Sequence, residues 1–340
     1  MNTCTLHDAN LWQPLVADTY ALGESPFWHP QEHTLYWVDI AGCQILRLPC
    51  GPDGQGGAGS SGSSGGQGAP GAVQAWPMPS EPGCIAPAAS GGLVIALRHG
   101  VFRARTWGGP LEPLATLPYD PALLRANDGK CDPLGRFWVG TIDEKKTHRS
   151  AALFCIDART GGNAAAPVVQ RMAGDALTGN GLAWSPDART LYWADTSSNV
   201  VHAWDWDAQA NVLAAHRHFL QCPPKPAGWT FDAAPEEGQA AYGGRPDGAA
   251  VDEEGNYWVA MYEGARVCQF APNGSLLAQY PTPAMCPTMP CFGGADRKTL
   301  YLTTARHGRS AQELLAYPQS GGVFAMRVDV PGLVVNGFVG

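Results

Sequence analysis

Four short stretches place oxygen-bearing side chains beside small residues at the head of apolar, strand-like segments. They are Gly23-Glu24-Ser25-Pro26, Asn127-Asp128-Gly129, Gly179-Asn180-Gly181 and Arg245-Pro246-Asp247-Gly248. Taken singly, Asn-Gly and Asp-Gly read as turns, and Glu24 reads as a solvated loop residue. Taken together, Glu24, Asn127, Asn180 and Asp247 stand at the same phase of a repeating unit. If those units close into a ring, the four side chains converge, although Glu24 and Asp247 are 223 positions apart. Two carboxylates and two amide oxygens make an all-oxygen set, which suits a hard divalent cation better than a thiolate-seeking one. Arg125 and Arg245 each stand two residues before a candidate ligand, where they would line the mouth of such a site.

Other candidate chemistry carries less. His216-x-His218 is the one close histidine pair, and it reads as part of a solvated strand face, since H-E-x-x-H is absent. Asp187 and the run Asp252-Glu253-Glu254-Gly255 fall in the turn after a first strand, which places them in solvent at the opposite end. Residues 54–59 fit G-x-G-x-x-G and residues 62–66 fit G-x-S-x-G. Both sit in a Gly/Ser-rich run without the strand-turn-helix context those motifs need. The ten cysteines form no C-x-x-C and read mostly as small buried hydrophobes.

The elements that must position the four oxygens come from internal repetition. Six segments share an entry, a short strand, a polar turn and a second strand rich in Trp, Tyr and Val. The second strands align at Trp37, Val94, Trp138, Trp193, Trp258 and Leu302, a spacing of 44 to 65 residues. That period fits four short strands per unit, the blade of a β-propeller. The reading is therefore all-β: one six-bladed β-propeller domain over residues 1–340, with Trp12–Ala17 completing the last blade and the phased Trp residues in the core. Short helical turns are expected at Ala122–Leu124 and Ala311–Ala316. Residues 51–71 read as a disordered loop insertion, and 222–244 as an inserted loop that caps the mouth.

Composition agrees. There are 42 Gly and 29 Pro, and only 15% of residues are charged, which excludes coiled coils and charge-rich disorder. The net charge of -8 argues against nucleic acid as a partner. No apolar run reaches membrane-spanning length and no signal-like segment opens the chain, so a cytoplasmic protein without a membrane partner is expected.

The stretches L-G-E-S-P-F-W, R-A-N-D-G-K-C-D-P-L-G-R-F-W-V-G-T, G-N-G-L-A-W-S-P-D and R-P-D-G-A-A-V-D-E-E-G-N-Y-W-V-A resemble the gluconolactonase, senescence marker protein (regucalcin) and luciferin-regenerating enzyme family. The likeness runs from about Leu22 to the last blade. It implies a metal-dependent lactonase that opens a sugar-derived aldonolactone of the gluconolactone, xylonolactone or arabinonolactone type with metal-activated water. It also implies one divalent cation (Ca, Mn, Zn, Mg or Fe) held by Glu24, Asn180 and Asp247, with Asp247 as general base. By the same resemblance Arg125, Asn127 and Glu144 contact the substrate, although Lys145 follows Glu144 where some members carry another Glu. Two other readings remain open: a hydrolase of another ester class on the same metal site, and a non-catalytic binding propeller pinned by the metal. A condensing propeller of the strictosidine synthase type would not require the three ligands.

Overall fold

The computed structural model describes residues 4–51, 54, 71–159, 166–233 and 241–340. Six sheets, each built on four antiparallel strands, follow one another along the chain. Their first strands are Gly23–His29, Pro82–Pro87, Leu124–Cys131, Gly179–Trp184, Arg245–Val251 and Pro287–Gly293. Each first strand touches those of the two neighbouring sheets, and Pro287–Gly293 returns to Gly23–His29. The result is a closed six-bladed propeller with the first strands around the axis. Most of the expected Gly/Ser-rich loop lies outside the described residues, as do positions 234–240 of the second insertion.

Each blade is covered by a neighbour on both faces. Its inner strands are therefore apolar almost throughout, where a one-sided sheet would alternate. Thr34–Asp39 (TLYWVD) and Phe137–Asp143 (FWVGTID) are buried along their whole length. Outermost strands such as Gln74–Pro77 and Val212–Gln221 are largely exposed. Trp37, Trp138, Trp193 and Trp258 are at most 2% exposed and lie in the inter-blade core, as expected. The chain start closes the ring: Gln13 and Pro14 pair with Ala325 and Phe324 on the outer side of blade six. Thr5–Leu6 adds a fifth, parallel strand to blade five, which periodicity does not reveal because two residues carry no pattern. Ala311–Ala316 is a helix, whereas Ala122–Leu123 is only a turn before the strand that starts at Leu124. All ten cysteines are free, and six are buried.

One expectation fails. Asp187 is exposed, but Asp252 is fully buried. Its carboxylate accepts hydrogen bonds from Asn256 N (2.8 Å), Asn256 Nδ2 (2.9 Å) and Trp258 Nε1 (2.8 Å). The turn folds back under the blade, so the acid caps the phased Trp from within. Asp132 does the same in blade three, taking Arg136 Nε (2.5 Å) and Trp138 Nε1 (2.8 Å). Replacing Asp252 with alanine would strand buried donors, each costing about 1–3 kcal/mol. We expect Asp252→Ala to lose about 3 kcal/mol in denaturant unfolding. A loss below roughly 1 kcal/mol would show the capping to be dispensable.

Candidate metal centre

Every first strand breaks its ladder near its start. The register shifts lie between Glu24 and Phe27, Pro82 and Cys84, Ala126 and Gly129, Asn180 and Ala183, Pro246 and Ala249, and Pro287 and Met289. A bulge re-aims side chains that regular alternation would send sideways into the neighbouring blades. Glu24, Asn127, Asn180 and Asp247 all sit at these bulges. They belong to the strands themselves, where the sequence had placed them in entry loops. Blades two and six put Gly83 and Thr288 at this level, so four of six blades supply side chains that can bind a cation.

Two glycines explain the flanking small residues. Gly181 has φ +58°, and a Cβ there would lie 2.4 Å from Tyr257 Oη and 2.9 Å from Asp247 O. A Cβ on Gly248 would meet Met289 Cβ at 2.5 Å. The inner strands approach too closely at this level for larger residues, so the Asn-Gly and Asp-Gly pairs here are packing requirements and not turns.

The polar side chains other than Glu24 form one connected row. Arg125 NH1 donates to Asn127 Oδ1 (2.8 Å), and Asn127 Nδ2 donates to Asn180 Oδ1 (2.7 Å). Asn180 Nδ2 donates to Asp247 Oδ1 and to Thr196 Oγ1 (2.8 Å). Glu24 accepts from Ser25 N (3.2 Å). All of these residues are buried. Among the described residues, neither Glu24 nor Asp247 has a Lys, Arg or His ion-pair partner. Burial first, then the charges of Asp247 and Asp128, pushes the Glu24 carboxyl well above the usual carboxylate range. Burial likewise pushes Asp247 up, to about 8.

Asp128 and Thr196 complete the centre, and sequence reasoning did not single out either. Asp128 is buried; its Oδ2 accepts from Leu182 N (3.0 Å), and its Oδ1 has no hydrogen-bond partner. The bulge lets consecutive residues 127 and 128 both stay near the axis, which a strict period of two forbids. Like-charged buried acids without a cation are costly. Oxygen donors facing one another at the head of a channel, two of them unpaired acids, therefore fit a divalent cation, and the donor set is one that hard cations accept.

Around the centre lies a charged rim. Glu144 sits between Arg98 NH1 (2.8 Å) and Arg125 Nε (3.6 Å), and Arg98 also holds Glu81 (2.7 Å). Asp143 shapes this loop by accepting from His148 N (2.7 Å) and Thr147 N (3.0 Å). Across the opening, Glu263 takes Arg245 NH2 (2.9 Å), Lys225 Nζ (2.7 Å) and Arg309 NH1 (3.0 Å). Lys225 and Trp229 belong to the second insertion, and Trp229 and Phe231 pack against Met285 and Cys286. Arg245 stands two residues before Asp247, so the insertion is tied through Glu263 to the strand that carries Asp247. A separate cavity of ≈ 380 Å³ is lined by residues further along the inner strands, Lys130 among them, and by the C-terminal segment at Leu333. None of Glu24, Asn127, Asn180 and Asp247 lines it, and its walls are largely apolar.

Residues 22–306 match the SMP-30/Gluconolactonase/LRE-like region. The chain belongs to that family. It is 36% identical over 328 residues to a 6-deoxy-6-sulfogluconolactonase of Pseudomonas putida, covering 96% of this chain and 98% of the relative. It is 32% identical to regucalcin of Gallus gallus, with 94% of each covered. Among solved structures it resembles a calcium-binding regucalcin of Agrobacterium tumefaciens (TM-score 0.80, 22% identity, all of both chains). It also resembles a gluconolactonase of Xanthomonas campestris (TM-score 0.64, 21% identity, 94% and 89% covered). These two structural likenesses establish the propeller fold. Among the described residues, no helix is long and apolar enough to cross a membrane.

Proposed function

We propose that this lactone hydrolase opens a sugar-derived aldonolactone to its aldonic acid, using a divalent cation held by Glu24, Asn180 and Asp247. The observation that carries the reading is the pair of buried acids, Glu24 and Asp247, without a cationic partner, the second of them joined through Asn180 and Asn127 to the Arg125 guanidinium. A hard cation there would supply Lewis acidity, polarising the lactone carbonyl and lowering the pKa of an attacking water.

The chain's own residues supply the rest. Asp247 accepts the proton of the attacking water and returns it to the ring oxygen as the acyl bond breaks. Asn180 fixes the Asp247 carboxylate by donating to it. Arg125 and Asn127 present donors at the mouth and orient the lactone and its hydroxyls. Glu144 holds the Arg125 and Arg98 guanidiniums in place and meets the substrate at the rim. The second insertion caps the opening through Lys225 and Trp229.

The similarity to a relative named for a sulfonated gluconolactone favours a six-carbon lactone. The test is a panel of five- and six-membered aldonolactones, neutral or sulfonated at C6, with spontaneous opening subtracted. Acceleration of at least one member is expected. Activity confined to aryl or phosphate esters would move the protein to another ester class.

Metal-free protein should show the buried acids in its pH dependence. The folded-state value of Asp247, about 8, lies above that of the unfolded chain. Folded protein therefore holds a proton that unfolded chain releases, and the associated stability is complete below the unfolded value and lost as pH rises through about 8. The melting temperature of metal-free protein is expected to fall from about pH 5 to pH 8. Added Ca²⁺ or Mn²⁺ should raise it more at the higher pH, because cation uptake displaces that proton. A cation effect equal at both values would count against these acids as ligands.

A further inference from the structure

The fold adds a third histidine to the His216-x-His218 pair. His202 lies on Val200–Asp207 and the pair on Val212–Gln221, the third and fourth strands of blade four counted from the axis. His202 stands directly across the ladder from His218. Residues two apart share a strand face, so His216 projects with His218. The register shifts between Ala203 and Asp205, and Ala215 has φ +46°. That bulge brings His216 back over His202, with Nε2 2.9 Å from His202 Nδ1. Nitrogens of the three rings lie within 4.8 Å of one another. Trp204 backs the group, its ring centroid 4.9 Å from that of His216 and 5.6 Å from that of His202. His216 and His218 are exposed and His202 is half-buried, so the open side faces solvent.

We propose that His202, His216 and His218 form a second metal site on the outer edge of blade four, selective for Zn²⁺-like borderline ions. Imidazole nitrogens favour zinc, nickel and copper over the hard cations that suit the axial oxygens. Zn–N bonds of about 2.1 Å in a tetrahedron set the nitrogens about 3.4 Å apart, so the His202–His216 pair opens slightly and wider separations close, an adjustment that rotation of the two exposed rings provides. Solvent takes the fourth position. Metal ligation requires neutral imidazoles, and His202 is the half-buried member of the three. Asp195 and Arg149 are the charged groups facing it, and they pair with each other at 3.1 Å. A bound ion would staple the largely exposed outermost strand to the strand beside it, and the site does not depend on the axial centre.

The test uses full-length, tag-free, metal-stripped protein titrated with zinc against a chromophoric chelator. Asp247→Asn, His216→Ala and His218→Ala run beside the wild type, with circular dichroism to confirm folding. We expect Asp247→Asn to retain a zinc site and, with Co²⁺, the visible bands of a tetrahedral nitrogen set. Adding His216→Ala or His218→Ala to it should abolish both. Each histidine variant alone should keep wild-type Mn²⁺-dependent lactone hydrolysis. Unchanged zinc uptake after loss of either histidine, or no zinc uptake by folded Asp247→Asn, would overturn the proposal.

Discussion

Asp247→Asn is expected to lower kcat by about 10³-fold or more while leaving the protein folded. Asparagine has the same shape and keeps an oxygen where Asn180 Nδ2 donates, so the row of hydrogen bonds from Arg125 survives. What it lacks is the negative charge and the ability to take a proton. General-base removal alone is typically worth about 10²–10⁴-fold, and a weakened cation site adds to it. Stability should move the other way. Asp247 is an acid that burial makes reluctant to ionise, and the neutral amide removes that cost. Metal-free Asp247→Asn should therefore melt at or above the wild-type temperature at pH 8, with a much smaller rise on adding Mn²⁺. Steady-state kinetics with melting curves on the same preparations check both halves. A variant with near-wild-type turnover would remove Asp247 from the mechanism.

Arg125→Ala should lower kcat/KM by about 10²-fold and leave cation affinity nearly unchanged. The guanidinium is buried, donates to Asn127 Oδ1 and faces Glu144. Removing it leaves Asn127 Oδ1 without its donor, while Nδ2 stays held by Asn180 Oδ1 and Gly179 O, and takes away a fork of donors at the mouth. Arg125→Lys should recover little, because an ammonium cannot bridge Asn127 and Glu144 as a planar fork does. The distinguishing readout is the Mn²⁺-induced rise in melting temperature, which should match wild type. Loss of that rise would mean that Arg125 supports the cation site and not the substrate.

The propeller was legible because each blade repeats one physical problem, and its solution leaves a phased mark. A buried second strand requires a large apolar residue at a fixed place, hence Trp37, Trp138, Trp193 and Trp258. The axial oxygens were legible for the same reason, since equivalent positions in different blades must meet. Asp128 was not, because only a bulge lets adjacent residues 127 and 128 both stay near the axis. Asp252 was misread because a turn acid looks solvated until the fold shows Trp258 Nε1 pointing at it. His202 stands fourteen residues from His216, and only the hairpin register joins them. The charged contact of the second insertion runs through Glu263, whose three basic partners come from three separate segments.

The most direct test of the account is lactone hydrolysis by metal-stripped protein, measured with and without Ca²⁺, Mn²⁺, Zn²⁺, Mg²⁺ or Fe²⁺ and corrected for spontaneous opening. The account predicts that at least one aldonolactone is opened only when a divalent cation is restored. Full activity in thoroughly stripped protein would contradict it, as would no acceleration of any lactone by folded, cation-loaded protein.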